Sequence, residues 1–176
     1  MNTDLVIENL LQATNFYSLD ESNCDEFVKG YIQKLIQDVV VYVDSNITVG
    51  NIEFRDVYNV EHEISQEITG LPAAYSAVDG EIRALTAFAE SYSKLGIAEY
   101  DEVCKEVLLD FLNLHNGLFI VYLSENNICE LSLSVPKQNG KKSIQSPIEG
   151  KVTVVPINFS YGTVNFLLVE LLKNTK

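Results

Sequence analysis

The sequence predicts an α/β protein of the α+β type, with a largely antiparallel sheet and helices packed on one of its faces. Three observations lead to this fold class. Helical and strand patterns follow one another in the order helix, strands, helix, helix, strands. Short turns join neighbouring strand segments, as in antiparallel hairpins. Residues 101–123 repeat apolar side chains at helical spacing across one broad arc, which is typical of a helix lying on a sheet.

The N-terminal part of the chain predicts two helices followed by strands. Residues 4–16 have a weak helical pattern, and residues 18–25 form a polar break. A stronger helix follows, with Ser22 or Asn23 as its cap and apolar residues at helical spacing as far as Val39. From about Val39 the residues become β-branched, with turn signals further on, which favours short strands.

The middle of the chain predicts a hairpin and then a helix. Residues 57–68 alternate roughly between apolar and polar side chains, and residues 69–72 have the composition of a turn. Residues 73–78 can return as the partner strand. Apolar residues at helical spacing then predict a helix over 82–95, which Gly96 ends.

Residues 101–123 form the central predicted helix. At about 100° per residue, its apolar side chains fall within one arc. They are Val103, Cys104, Val107, Leu108, Phe111, Leu114, Leu118, Val121 and Tyr122. Glu106, Asp110, Asn113 and Gly117 lie beside this arc in a stripe about 60° wide, because steps of three and four residues return to one face. We call these four residues the polar stripe and expect any chemistry of the protein there.

The C-terminal part predicts three further strands. Residues 128–135 indicate a short strand, and residues 136–150 a polar loop. Residues 152–159 and 164–172 have strong β character and predict a closing hairpin.

Each residue of the polar stripe also has a purely structural interpretation. Asp110 and Asn113 are typical of a solvated helix face, and Glu106 is typical of a surface glutamate. Gly117 costs about 1 kcal/mol relative to alanine within a helix, which indicates either close helix–sheet packing or contact with a partner. His115 falls within the apolar arc, so we expect a core histidine rather than a catalytic base.

Composition and charge exclude several function classes. The 176 residues suit a single domain, 1–176, with an N-terminal helical extension at 1–40 and a core at 41–176. A formal net charge of −13 argues against nucleic-acid binding, since cationic groups supply most of that affinity. No uninterrupted apolar run reaches the roughly 18 residues of a membrane span. Three widely spaced cysteines suit reduced thiols, so we expect a cytoplasmic protein without membrane insertion or a metal site.

The polar stripe carries a resemblance to a known family. The segment Asp110–Asn113, with Gly117 four residues later, resembles the Glu-x-x-Asn signature helix of the CheX/CheC/FliY family of chemotaxis phosphatases, and CheX most of all. The resemblance extends over roughly residues 55–172. The elements that follow the family's order are the hairpin 60–78, the helix 81–95 and the strand pair 152–172. The sequence differs from the family motif in having Asp110 where the family has glutamate.

This resemblance implies a CheC-like or CheX-like fold and the dephosphorylation of a phosphorylated, CheY-like response regulator in chemotaxis or two-component signalling. It implies that Asn113 positions the water and Asp110 docks the partner. Glu106 and Gly117, on the same polar stripe, are the further residues that we expect to contact the partner. It implies no cofactor in this chain, because the partner receiver domain holds the Mg²⁺, and a homodimer that pairs through sheet edges. Because this chain has Asp110 where the family has glutamate, an alternative stays open. In that alternative the chain is a catalytically inactive CheX-like domain that binds a receiver or another signalling protein.

Overall fold

The architecture has three layers, which are a layer of helices, an eight-stranded sheet and a two-stranded ribbon. The structure is a computed structural model that describes residues 2–22, 24–126, 130–147 and 151–172. Its α-helices are α1 (Thr3–Gln12), α2 (Glu26–Tyr42), α3 (Ile82–Ser93) and α4 (Glu102–Glu125), with a short 3₁₀ turn at Phe16–Ser18. Its strands are β1 (Thr48–Val49), β2 (Glu53–Arg55), β3 (Val57–Val60), β4 (Glu63–Thr69), β5 (Ala73–Gly80), β6 (Ser132–Leu133), β7 (Lys137–Asn139), β8 (Lys142–Gln145), β9 (Val152–Phe159) and β10 (Gly162–Leu172).

Every strand pair in the described residues is antiparallel, as the sequence predicts. The sheet has the order β1-β9-β10-β5-β4-β6, with β2 also paired to β9 and β7 to β4. The predicted central hairpin is β4–β5, in which Ile64 lies opposite Val78 and Ile68 opposite Ala74. The predicted strand 57–68 is divided, because Val57–Val60 forms β3 and pairs with β8 instead. The predicted closing hairpin is β9–β10. The α+β fold class is confirmed.

The helices lie on one face of the sheet and the ribbon of β3 and β8 lies on the other. On the helical face, Ile64, Val78 and Phe166 join the core made by the four helices. On the opposite face, Tyr58 and Ile144 of the ribbon pack with a second apolar cluster of the sheet. The predicted placement of the helices is therefore confirmed, while the ribbon as a covering layer was not predicted.

Two local predictions near the N-terminus are wrong. Helix α2 begins after Asp25, whose carboxylate accepts a hydrogen bond from Val28 N at 3.1 Å, so neither Ser22 nor Asn23 is needed as the cap. Asn23 itself lies outside the described residues. The β-branched segment from Val39 continues α2 to Tyr42, and Val39 and Val40 are buried in the helical layer.

The predicted polar loop 136–150 is also wrong in part. It contains β7, which pairs with β4, and β8, which pairs with β3 in the ribbon. Residues 148–150 lie outside the described part of the chain, as do residues 128–129 of the predicted strand 128–135. Within the described remainder of that strand, only Ser132–Leu133 pairs as β6.

Helix α4 is one continuous helix that packs against β4 and β5. Asp101 caps it by accepting a hydrogen bond from Cys104 N at 2.9 Å. Its side chains that face the core are Cys104, Val107, Leu108, Phe111, Leu112, His115, Asn116, Phe119 and Leu123. This buried face is rotated relative to the predicted apolar arc, and Val103 and Val121 are 51% and 52% exposed.

By length and composition alone, α4 is apolar enough to cross a bilayer, with a mean hydropathy of 1.4. The core helix of a globular fold passes the same test. In this fold one side of α4 is buried against the sheet and the neighbouring helices, and the opposite side carries the polar stripe.

Candidate functional site

The polar stripe lies on the exposed side of α4. Glu106, Asp110 and Asn113 are exposed, and Gly117 is half-buried. Successive members are three or four residues apart, so each follows the last by about 4.5 to 6 Å along the helix axis. The structure therefore keeps all four predicted site residues together on one surface.

The Asn113 carboxamide is held by hydrogen bonds from the sheet below. Gln66 of β4 is buried, and its Nε2 donates to Asn113 Oδ1 at 2.7 Å and to the Ser134 carbonyl at 2.9 Å. Its Oε1 accepts a hydrogen bond from Asn116 Nδ2 at 3.0 Å. Asn116 lies on the buried side of α4, so a chain of three carboxamides runs from the core to the surface.

A backbone carbonyl fixes the orientation of this carboxamide chain. The Ser134 oxygen can only accept, so the Gln66 atom facing it must be the nitrogen. Because that nitrogen also donates to Asn113, the Asn113 atom that faces it must be the acceptor Oδ1. Asn113 Nδ2 is therefore turned away from the sheet. Within the described residues Asn113 Nδ2 has no protein partner, so it is a free donor on an exposed surface.

Asp110 is held from the other side, by α3. Tyr92 Oη donates a hydrogen bond to Asp110 Oδ2 at 2.8 Å. The Tyr92 ring stands edge-on to Phe111 at a centroid distance of 5.3 Å, which anchors it to the core. Burial, followed by the Asp110 carboxylate, raises the pKa of Tyr92, so the phenol remains a proton donor at neutral pH. Asp110 therefore presents one fixed carboxylate oxygen and leaves the other toward solvent.

Gly117 leaves open space in the polar stripe. A Cβ placed there meets no atom within 4 Å, whereas one at Gly80 would approach the Thr163 carbonyl at 3.1 Å. Close helix–sheet packing thus does not explain Gly117. The remaining interpretation from the sequence is an approach by a partner.

His115 is a core histidine, as the sequence predicts. It is fully buried, and its Nδ1 lies 2.8 Å from Asp38 Oδ2. Lys34 forms an ion pair with the same carboxylate, at 3.4 Å from Asp38 Oδ1. Burial lowers the pKa of His115, while Asp38 opposes this shift. The histidine belongs to the packing of α2 on α4 and not to the polar stripe.

Sequence reasoning missed Gln66, Tyr92 and Ser134. Gln66 did leave a signal, because it lies between Ile64 and Ile68 on the alternating strand, where an apolar residue is expected. Tyr92 and Ser134 left none, since nothing in their local sequence pattern sets them apart. Among the described residues, no three His, Cys, Asp or Glu side chains are grouped to hold a metal ion.

Solved structures of chemotaxis proteins have a similar fold. CheX from Desulfovibrio desulfuricans superposes with a TM-score of 0.67 at 14% identity, covering 82% of this chain and 99% of that chain. A CheC-like superfamily protein from Shewanella sp. PV-4 gives 0.69 at 13% identity, covering 82% and 96%. A chain of the CheX–CheY–BeF₃–Mg²⁺ complex from Borrelia burgdorferi gives 0.60 at 13% identity, covering 83% and 98%. No protein-family model and no curated protein matches the sequence.

The fold and the polar stripe define an α+β domain that presents a carboxamide and a carboxylate on one exposed helix. This fold is that of the CheX and CheC-like chemotaxis proteins. The expected CheC-like or CheX-like fold is therefore confirmed.

Proposed function

We propose that this chain is a CheX-like phosphatase that accelerates dephosphorylation of a CheY-like response regulator in chemotaxis or two-component signalling. The observation that carries the proposal is the outward-facing Nδ2 of Asn113, held beside Asp110 on the exposed face of α4. The fold shared with a chain of a CheX–CheY complex supports the class of partner. We expect a protein with this role to be cytoplasmic.

The proposed chemistry needs positioning rather than covalent help. An aspartyl phosphate is an acyl phosphate, and its hydrolysis requires a water in line with the leaving carboxylate and neutralised phosphoryl oxygens. Asn113 Nδ2 can donate to one lone pair of that water and leave the other to attack phosphorus. The receiver would hold the Mg²⁺ that neutralises the phosphoryl group, so this chain would supply no metal.

Asp110 would fix the register of docking. Its free carboxylate oxygen can accept a charge-assisted hydrogen bond from a lysine of the receiver. Because Asn113 lies about 4.5 Å further along the helix, an ion pair at Asp110 would hold the carboxamide against the phosphoryl site.

The direct test measures phosphoaspartate decay. Receiver domains from the same organism are phosphorylated with a small phosphodonor, the donor is removed, and the remaining phosphoprotein is followed with and without this chain. The expected result is a decay rate that rises with the concentration of the chain. Unchanged decay for every receiver would contradict the proposed activity.

Asp110 rather than Glu106 is expected to dock the partner. Aspartate is about 1.5 Å shorter than the glutamate of the family motif, which weakens an ion pair across the interface. Asp110→Glu is therefore expected to raise the rate by about two- to fivefold, the effect of a salt bridge worth up to about 1 kcal/mol. Glu106→Ala, one turn earlier, should barely change the rate measured at saturating chain. If Glu106→Ala abolishes activity and Asp110→Ala does not, Glu106 has the docking role.

The second candidate function is a catalytically inactive domain that binds a receiver. The observation favouring it is that Asp110, already the shorter acid, has one oxygen engaged by Tyr92. Binding of a phosphorylated receiver without faster decay would identify this function. Accelerated decay would exclude it.

A homodimer formed through sheet edges stays a prediction, and the structure restricts how it could form. The strongly β segments near the C-terminus are β9 and β10, and each has neighbours on both sides. Pairing would have to use the short strands at the ends of the sheet, or the ribbon. A dimeric mass in solution at tens of micromolar is the expected result, and a monomeric mass would contradict it.

A further inference from the structure

A groove runs along the polar stripe between the end of α3 and the first turns of α4. Its volume is about 570 Å³. The residues that line it are Tyr92, Ser93, Leu95, Val103, Glu106, Val107 and Asp110. It therefore shares Glu106 and Asp110 with the polar stripe.

The walls of the groove are apolar and exposed. Leu95 is 67% exposed and Val103 is 51% exposed, while Val107 at the base is 9% exposed. Leu95 lies just after α3, and Val103 lies in the first turn of α4, so two separate elements place apolar side chains around one concave surface. Exposed apolar residues around a cleft indicate a binding surface more strongly than single exposed residues do.

The rim of the groove is acidic. Glu106 and Asp110 both lie on it, and the described residues that line it include no lysine, arginine or histidine. An apolar occupant that also carried a negative charge would be repelled, whereas a neighbouring cation would be attracted. The surface is therefore complementary to an apolar side chain flanked by lysine or arginine.

The groove and Asn113 lie on opposite sides of Asp110 around the helix. Val103 and Val107 turn toward α3, while Asn113 turns toward β4, where Gln66 holds it. Val107 precedes Asp110 by about 4.5 Å along the axis. A partner whose phosphorylation site met Asp110 and Asn113 would therefore also cover the groove.

We propose that this groove seats an apolar side chain of the receiver domain, flanked by a lysine or arginine that faces Glu106 and Asp110. This inference rests on the proposed function and adds the surface that selects the receiver. The groove contributes affinity for the partner, and Asn113 contributes the rate of the bound complex.

The test compares glutamine substitutions at exposed apolar positions inside and outside the groove. Val103→Gln, alone and combined with Leu95→Gln, removes the apolar walls while keeping exposed positions exposed. Val121→Gln is the control, because Val121 is also exposed and lies on the same side of α4, but outside the groove. The Kd for a beryllofluoride-activated receiver and the single-turnover decay rate at saturating chain are measured for each variant.

The double variant is expected to raise the Kd by about tenfold or more, since it removes two apolar side chains from the interface. The decay rate at saturation should be unchanged, and Val121→Gln should stay within about twofold of the wild-type Kd. Binding of the wild type should also weaken as salt is raised, because the rim is acidic.

The outcomes separate the two proposals. If the wild type binds a receiver and the double variant binds equally well, or if Val121→Gln weakens binding to the same extent, the groove is not the docking surface and the proposed function stands. If the wild type neither binds a receiver nor accelerates decay, the proposed function fails and the groove inference fails with it.

Discussion

Asn113→Ala is expected to lower the acceleration of phosphoaspartate decay by about 100-fold or more, the usual effect of removing one positioned hydrogen-bond donor. The substitution removes the outward Nδ2 that would hold the attacking water. It leaves Gln66 Nε2 bonded to the Ser134 carbonyl, so no buried donor loses its last partner. Because Asn113 is exposed, the free energy of unfolding should change by less than about 0.5 kcal/mol.

Single-turnover decay at saturating chain measures this effect separately from binding. The Kd for the beryllofluoride-activated receiver should change little, since Asp110 and the groove remain. Ser124→Ala is the control, as it removes another exposed polar group from α4. Undiminished acceleration by Asn113→Ala would end the water-positioning role of this residue.

Most of the fold follows from periodicity in the sequence. The alternation at 57–68 corresponds to β3 and β4, and helical spacing at 82–95 and 101–123 corresponds to α3 and α4. These signals are strong in α3, α4 and β3, because each of them leaves one side exposed and its pattern records the face that meets the core. Strand β4 is buried on both faces, so its alternation of apolar and polar residues does not mark an exposed side. The antiparallel sheet then follows from the short connections within the hairpins.

The errors in the fold arise where local pattern and tertiary environment disagree. Val39 and Val40 favour a strand by their β-branched side chains, yet both are buried in α2. Strands β7 and β8 are mostly polar and exposed, so hydrophobic alternation could not reveal them. Their pairing with β4 and β3 depends on chain segments far away in the sequence.

The candidate site was predictable only as far as it lies on one helix. Asp110 and Asn113 are three residues apart, so helical geometry alone places them together. What orients them comes from other elements, namely Tyr92 on α3 and Gln66 on β4. Such contacts depend on how α4 sits on the sheet, and a single sequence does not specify that register.

Substitutions of the buried Gln66 should distinguish a role in orienting the Asn113 amide from a role in packing the core. In Gln66→Glu the ionised carboxylate can only accept, so Asn113 must reverse its amide and turn Oδ1 outward. In Gln66→Met the side chain has similar size but neither donates nor accepts, so the Asn113 amide becomes free to rotate. We expect a loss of about tenfold in the saturated decay rate for Gln66→Met, and a larger loss, toward about 100-fold, for Gln66→Glu.

The pH dependence of the two variants then tests whether their loss of activity comes from the missing hydrogen-bond donor to Asn113 Oδ1. Burial raises the pKa of a carboxyl group placed at position 66, and its protonated form regains a donor for Asn113 Oδ1. The deficit of Gln66→Glu relative to wild type should therefore shrink as the pH falls, whereas that of Gln66→Met should stay constant. Unfolding midpoints measured at each pH show that the compared proteins are folded. If both variants lose activity equally, in proportion to lost stability and with the same pH profile, Gln66 acts through packing and does not orient Asn113.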